Sequence, residues 1–279
     1  MSHFVPNFIV GGAPRSGTGW LLACLREHPE VYVPLREVNY FTYEYARTAS
    51  WYRQHFEDCS SGQVTGEKSP SYLASPEAAA RIHDWNPEVS LIFSLRHPVE
   101  RAYSAYCMML QAPHHDVGED VGHELTPDSA IVREGRYFEH LQRYRSYFPD
   151  EQIHVLVFDD LKTDPGQFAQ TLFRVIGVDF FFKPSILDQK FGHTKKRGGA
   201  VWSTIKKLTG RVASASSTAE RVLQWCRQRG YTEWVHRLRP GKNYPPLPDS
   251  VRGQLRDYYR DDVSRLRSYL GRELPSWPD

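Results

Sequence analysis

A glycine-rich turn near the N-terminus carries the strongest signal for chemistry in this sequence. The short apolar run at residues 8–10 predicts a strand, and Gly11-Gly-Ala-Pro-Arg-Ser-Gly-Thr-Gly-Trp20 follows it and leads into a helical pattern. Such a turn aims successive backbone N–H groups into one concavity beside the positive end of a helix dipole. Arg15 adds a fixed positive charge and Thr18 a hydroxyl donor. The segment therefore predicts a site for a phosphate or sulfate group, the alternative being an ordinary glycine-rich turn.

The same turn departs from the Walker pattern G-x-x-x-x-G-K-[ST]. Gly12 and Gly17 have the required spacing, but Thr18 stands where the lysine belongs and Gly19 where the magnesium-binding hydroxyl belongs. The missing pair argues against a magnesium-dependent nucleoside triphosphatase.

A second candidate anion site follows the apolar run at residues 89–95, which predicts a buried strand. Arg96 comes directly after this run, and ligands of parallel sheets gather at the carboxyl ends of the strands. Ser104 lies eight residues further on, in a predicted helix. Because an arginine fork and a hydroxyl can hold one phosphate together, the two residues predict a second phosphate contact.

The two motifs, in this order and spacing, resemble those of the sulfotransferases that use 3′-phosphoadenosine-5′-phosphosulfate (PAPS), and most of all the heparan sulfate branch. The resemblance leaves out roughly residues 111–130 and 203–245 and extends over Gly66–Tyr72, Tyr144–Pro149, Asp159–Leu161 and the tail Leu255–Trp277. It implies in-line transfer of a sulfuryl group from PAPS to an acceptor hydroxyl or amine, with adenosine 3′,5′-bisphosphate (PAP) as the product and without a metal.

The resemblance also assigns the residues that bind the donor. The 5′-phosphosulfate is expected at Arg15, Ser16, Gly17, Thr18, Gly19 and Trp20. The 3′-phosphate is expected at Arg96 and Ser104, and a Lys/Arg-Gly loop that closes over it in related enzymes points to Lys196, Arg197 and Gly198. Arg15 is expected to stabilise the charge on the bridging oxygen electrostatically, because arginine does not readily donate a proton.

An acceptor hydroxyl must lose its proton, so a general base is expected in the site. Leu35-Arg-Glu-Val-Asn-Tyr-Phe41 resembles the heparan-type segment whose glutamate is the catalytic base, which makes Glu37 the candidate. The alternative for Glu37 is a surface carboxylate paired with Arg36. By family position Lys68 faces the reacting groups and Glu67 is a weaker alternative base, whereas His97 lies in the 3′-phosphate motif and is not expected to be the base.

The elements that must position these residues are strands alternating with helices. A third strand is predicted at 153–158, a helix at 165–176 and a charged amphipathic helix at 251–270. This order predicts an α/β fold in one domain over residues 1–279, with a P-loop-like central parallel β-sheet flanked by helices. The acidic residues 111–130 predict a loop, and residues 203–240 predict a helical insertion or lid.

Composition limits the partners. The 279 residues include 35 Lys and Arg against 33 Asp and Glu, so an anion site must be local and a nucleic-acid partner is not expected. No apolar run approaches the ~20 residues of a membrane span, and the N-terminus lacks a signal-peptide pattern, which predicts a cytoplasmic location. A catalytic fragment of a secretory-pathway protein without its anchor would show the same pattern. The four cysteines form no CxxC pair that would suggest zinc. The pattern indicates no oligomeric state.

The acceptor is expected to be a carbohydrate or a small metabolite. Aromatic residues follow the base candidate closely and could stack on sugar rings, with about half of them expected in the core: Tyr40, Phe41, Tyr43, Tyr45, Trp51 and Tyr52. Two other functions stay open, a P-loop kinase and a non-catalytic nucleotide-binding protein of the same fold. The missing Walker lysine argues against the first and the intact set of candidate residues against the second.

Overall fold

The computed structural model describes residues 5–111, 117–188 and 243–278. These residues form a single five-stranded sheet, all parallel, in the order β2-β3-β1-β4-β5 and with helices on both faces. The predicted α/β class with a central parallel sheet is therefore confirmed. The predicted insertion at 203–240 and the candidates Lys196, Arg197 and Gly198 lie outside the described residues.

The strands are short, and three of them were predicted from their apolar runs. Their bounds are β1 Phe8–Gly12, β2 Val31–Tyr32, β3 Val64–Lys68, β4 Ser90–Leu95 and β5 Ile153–Val157. Central β1 pairs with β3 and β4, so that Val10 lies beside Lys68 and Gly12 beside Phe93. The carboxyl ends of all these strands therefore meet at one edge of the sheet.

Ten helices lie in the described residues, and four of them begin at a side chain that caps the first turn. Their bounds are α1 Thr18–Glu27, α2 Ala49–Arg53, α3 Ala78–Trp85, α4 Pro98–Met109, α5 Val121–Glu124, α6 Ala130–Arg133, α7 Tyr137–Arg145, α8 Phe158–Thr163, α9 Pro165–Ile176 and α10 Asp249–Leu270. In α9 the Asp164 side chain accepts the N–H of Gln167 at 2.9 Å, and Gly177 ends the helix in the left-handed conformation. These signals explain why its predicted bounds are correct.

The sheet buries side chains on both of its faces. Ile9, Leu91 and Phe93 point to one face and belong to the core formed with α3, α4, α7 and α10. Phe8 and Ile92 point to the other face and pack with α1 and α9. Because side chains alternate along a strand, consecutive apolar residues serve both cores, which is why these strands appear as continuous apolar runs.

Two segments differ from their predictions. The acidic stretch 111–130 was expected to be a loop, but it contains the single turn α5. The Asp120 side chain accepts the N–H of Gly122 at 2.9 Å and so caps this turn, while Val121 and Leu125 are buried in the core. The third strand ends one residue early, because Phe158 begins α8.

The C-terminal helix α10 confirms the predicted amphipathic tail and begins two residues earlier. Its buried face includes Leu255, Tyr259 and Leu266. Asp262 is buried among them and accepts the backbone N–H groups of Phe138 and Glu139 at 3.0 and 3.1 Å, which caps the start of α7 from a distant part of the chain. Among the residues described, no helix has the length and apolar character needed to cross a membrane; the cellular location stays a prediction.

Candidate active site

The predicted site residues within the described ranges lie at or beside the carboxyl edge of the sheet. Lys68 is the last residue of β3, the turn 13–17 follows β1, and Arg96 follows β4. Ser104 is in the second turn of α4, the helix that begins just after Arg96. The fold therefore brings together residues that are far apart in the sequence, at the edge where parallel sheets bind ligands.

The glycine-rich turn is fixed by the neighbouring strand β4. Ala13 N–H donates to the Ser94 carbonyl at 2.8 Å, and the Ser94 hydroxyl donates to the Ser16 carbonyl at 2.5 Å. Arg15 and Gly17 both adopt the left-handed conformation, with φ of 67° and 86°. Gly17 caps α1 and has no side chain that could accept the N–H groups of the first helical turn. Those donors suit an anion, as the sequence predicts.

An exposed arginine, Arg15, a buried arginine, Arg96, and a serine lie at this turn. Arg15 Nε donates to Ser104 Oγ at 3.1 Å, and Arg96 Nη1 donates to the Arg15 carbonyl at 3.4 Å. The Arg96 guanidinium also lies over the Phe158 ring at 5.3 Å. The residues predicted to hold the two ends of the donor are thus in direct contact with each other.

The electrostatics of this arginine pair favour an anion. Burial lowers the pKa of both guanidinium groups, and the charge of Arg15 lowers that of Arg96 further while Glu100 opposes the change. Within the described ranges neither group has a carboxylate within 4 Å, and Arg96 Nε is buried without a hydrogen-bond partner. A phosphate or sulfate would offset the desolvation of these two cations, so the residues present fit the predicted donor.

The catalytic candidates form an ion pair beside the turn. Lys68 Nζ donates to Glu37 Oε1; the Lys68 side chain is 9% exposed and that of Glu37 45% exposed. Glu37 is therefore in contact with the residue expected to face the reacting groups, and it remains open to an acceptor from solvent.

Glu67 points away from this site. It is completely buried and accepts hydrogen bonds from Tyr52 and Ser69, both at 2.8 Å, and from Tyr72 at 3.1 Å. Burial raises the pKa of Glu67 to about 7, against the effect of these three hydroxyls. Since side chains alternate along a strand, Glu67 and Lys68 lie on opposite faces of β3. Burial removes Glu67 as the alternative base, because it cannot reach an acceptor.

His97 is the N-cap residue before α4 and is buried, with its ring centroid 6.4 Å from that of Trp277. Burial lowers the pKa of His97 to about 4. A histidine with such a pKa is a weak proton acceptor at neutral pH, which agrees with the expectation that it is not the base.

The aromatic residues after Glu37 divide as expected. Tyr40, Phe41 and Tyr52 are in the core, which confirms that about half of the group is structural. Tyr43 is 79% exposed and Tyr45 42% exposed. Arg81 lies over the Tyr45 ring at 4.0 Å, so that ring already has a partner.

Several residues that shape the site were not predicted. Ser94 could have been identified from the sequence, because it is a hydroxyl residue within the apolar run 89–95. Phe158, under Arg96, and Tyr137, whose hydroxyl donates to the Arg96 carbonyl at 2.8 Å, gave no local signal because they are distant in the sequence.

A five-stranded parallel sheet gathers a glycine-rich turn, two arginines and a Lys–Glu pair at one edge, an α/β architecture that fits an enzyme with an anionic substrate. A model of the sulfotransferase domain family matches residues 6–197, and the chain belongs to this family. It is a PAPS-dependent sulfotransferase, as the resemblance implied, and no observation favours the kinase or the non-catalytic alternative.

Relatives and solved structures agree with this assignment. The chain is 29% identical to human heparan sulfate glucosamine 3-O-sulfotransferase 6 over 275 residues, which are 96% of this chain and 73% of the relative. The mouse enzyme of the same name is 30% identical with the same coverage. A crystal structure of a sulfotransferase from Alicyclobacillus acidocaldarius has the same fold, with a TM-score of 0.70 and 22% identity over 99% of this chain and all of that one.

Proposed function

We propose that this protein transfers the sulfuryl group of PAPS to a hydroxyl group of a glucosamine-containing glycan of the heparan type. The observation that carries the donor side is the contact of exposed Arg15 with buried Arg96 beside the start of α1: Arg15 donates to the Ser104 hydroxyl, and Arg96 donates to the Arg15 carbonyl. The acceptor class is supported by the names of the relatives, which are heparan sulfate glucosamine 3-O-sulfotransferases. A small metabolite is the alternative acceptor.

On the donor side, we propose that the two phosphate-bearing ends of PAPS bind at separate parts of this cluster. The turn residues Ser16, Gly17, Thr18, Gly19 and Trp20 hold the 5′-phosphosulfate with Arg15. Arg96 and Ser104 hold the 3′-phosphate, together with Lys196, Arg197 and Gly198. The charge pattern supports this division, because two cations that burial disfavours are both neutralised by one doubly phosphorylated nucleotide.

On the acceptor side, we propose that Glu37 is the general base and that Lys68 stabilises the reacting sulfuryl oxygens. The acceptor O–H bond breaks and its proton passes to the Glu37 carboxylate, while the acceptor oxygen bonds to sulfur. The bond between sulfur and the bridging oxygen breaks, and its electron pair leaves on the 5′-phosphate of PAP beside Arg15. The positive charges of Arg15 and Lys68 supply the electrostatic stabilisation of this transition state, so we propose that no metal is required.

The test measures binding and transfer separately. Calorimetry should show that PAP binds at least about tenfold more tightly than AMP, because AMP lacks the phosphate assigned to Arg96. Radiolabelled PAPS should transfer sulfate to heparan-type oligosaccharides, with equal rates in the presence and absence of EDTA. Equal affinities for PAP and AMP would overturn the donor site, and transfer only to compounds in a small-metabolite panel would overturn the glycan acceptor.

A further inference from the structure

Glu37 lies in a segment that no helix or strand holds. Residues 37–39 have no regular structure, and Asn39 adopts the left-handed conformation with φ of 52°. A side chain in such a segment is positioned only as well as the contacts of its backbone. The position of the proposed base therefore depends on whatever fixes residues 39–41.

The residues after β3 hold this segment through hydroxyl groups. Asn39 N–H donates to Ser69 Oγ at 2.9 Å, and Phe41 N–H donates to the Tyr72 hydroxyl at 3.3 Å. Ser71 Oγ donates to Asn39 Oδ1 at 2.9 Å. Two backbone N–H groups close to Glu37 are thus accepted by side chains of one short loop.

The direction of these hydrogen bonds is set by Glu67. A hydroxyl has one proton to donate, and both Ser69 and Tyr72 give theirs to the Glu67 carboxylate, at 2.8 and 3.1 Å. Their oxygen lone pairs are then available to Asn39 and Phe41. The Tyr52 hydroxyl donates to the same carboxylate at 2.8 Å and completes its hydrogen bonding.

The same stretch of chain holds Glu37 directly as well. Lys68, between Glu67 and Ser69, contacts the Glu37 carboxylate from the other face of β3. Three consecutive residues therefore hold the proposed base. Lys68 contacts the Glu37 side chain, while Ser69, hydrogen-bonded to Glu67, contacts the backbone two residues further on.

We propose that Glu67 is a positioning residue: its buried carboxylate orients the hydroxyls of Ser69 and Tyr72, which fix the backbone at Asn39 and Phe41 and so hold Glu37 against the acceptor. This inference rests on the proposed role of Glu37 as the base. Glu67 touches neither donor nor acceptor in this scheme, and it acts through the segment that carries Glu37.

A double-mutant cycle tests this inference. Glu67→Gln keeps the shape of the side chain but replaces one acceptor oxygen with a donor, so at about pH 8 it should lower kcat about tenfold and leave the Kd for PAP unchanged within about twofold. In a Glu37→Gln background the same change should lower kcat by less than about twofold, because no base remains to be misplaced. A role confined to stability or to the donor site predicts the same loss in both backgrounds.

One tyrosine variant and a matched control provide a second route if Glu67→Gln does not fold. Tyr72→Phe removes the link to Phe41 and should lower kcat severalfold, again only when Glu37 is present. Tyr259→Phe is the matched control: it deletes a buried hydroxyl that donates to the Val132 carbonyl at 2.7 Å, and it should leave kcat unchanged.

The outcomes separate the two proposals. Equal losses in both backgrounds, for Glu67→Gln or for Tyr72→Phe, would overturn the positioning role and leave the base assignment intact. Normal turnover of Glu37→Gln would overturn the base assignment itself, and the positioning role would fall with it. Weaker PAP binding by Glu67→Gln would place its effect in the donor site and also overturn the inference.

Discussion

At the scale of single residues, Arg96 and Arg15 are in contact, and we propose that they bind different ends of the donor. Arg96→Ala removes the guanidinium assigned to the 3′-phosphate. We expect it to weaken PAP binding by about tenfold to a hundredfold, the contribution of a charge-assisted hydrogen bond, and to leave AMP binding nearly unchanged. Calorimetry with the two nucleotides measures both effects.

Arg145→Ala is the control for this experiment. Arg145 pairs with Asp150 at 2.7 Å, away from the carboxyl edge of the sheet, and its removal changes the net charge by the same amount. It should leave both affinities unchanged. An equal loss of PAP and AMP affinity in Arg96→Ala would show that Arg96 does not distinguish the 3′-phosphate.

The sequence predicts residues whose role is set by a local motif, and it misses those whose role is set by burial. Arg15 and Arg96 follow strands and Ser104 lies in the helix after Arg96, so their proposed chemistry and their place at the sheet edge could be predicted together. Glu67 could be taken for a base because its type alone suits that role. Its enclosure by Tyr52 and Tyr72 depends on the tertiary packing, which no local pattern carries.

At the scale of elements, the sequence likewise predicts some strands and misses others. β1, β4 and β5 are apolar because both faces of the sheet are covered, and they were predicted. β2 has only two residues, and β3 contains Gly66, Glu67 and Lys68, which interrupt the apolar pattern. β3 contributes most to the proposed acceptor side, and it is a strand that the apolar pattern does not predict.

The connection from β1 to α1 leads to a prediction about Gly17. Its φ is 86°, and an added Cβ would lie 2.7 Å from the Phe158 ring, on which Arg96 packs. Gly17→Ala should reduce stability by about 1–2 kcal/mol through backbone strain and, by displacing Phe158 and Arg96, lower PAP affinity about tenfold or more. Urea unfolding and calorimetry measure these two effects.

Gly177→Ala separates strain from the effect on the site. Gly177 has a similar φ of 75° at the end of α9, and no described atom lies within 4 Å of its added Cβ. It should show a comparable loss of stability with normal PAP affinity. Unchanged PAP binding in Gly17→Ala would mean that the turn does not hold the donor.

At the scale of the whole molecule, the C-terminal segment packs against α8, a helix next to the proposed donor site. Trp277 Nε1 donates to Asp159 at 2.9 Å, and Arg272 forms a two-point ion pair with Asp160. Both acidic residues belong to α8, the helix that begins with Phe158 under Arg96. This contact gives a physical reason why the resemblance to the family extends into the tail.

Stability as a function of pH gives a test of the whole folded molecule that needs no ligand. Burial raises the pKa of Glu67 from 4.5 to about 7, so the folded protein holds this proton more tightly than the unfolded chain does. The contribution of Glu67 to stability is therefore complete below pH 4.5 and is lost as the pH rises through 7. Relative to Glu67→Gln, the wild-type free energy of unfolding should fall by up to about 1.4 kcal/mol per pH unit in this window.

The measurement is urea unfolding of both proteins at several pH values between about 4.5 and 8, because the difference between them cancels the titration of all other groups. If the free energies of unfolding of the wild type and Glu67→Gln differ by the same amount at every pH, the hydroxyls of Tyr52, Ser69 and Tyr72 compensate fully for the cost of burying the Glu67 carboxylate. A difference that grows in favour of the wild type would show that these hydroxyls stabilise the carboxylate more than water does. In that case Glu67 would be ionised at every pH in the window, and the network that orients Ser69 and Tyr72 would be intact well below neutral pH.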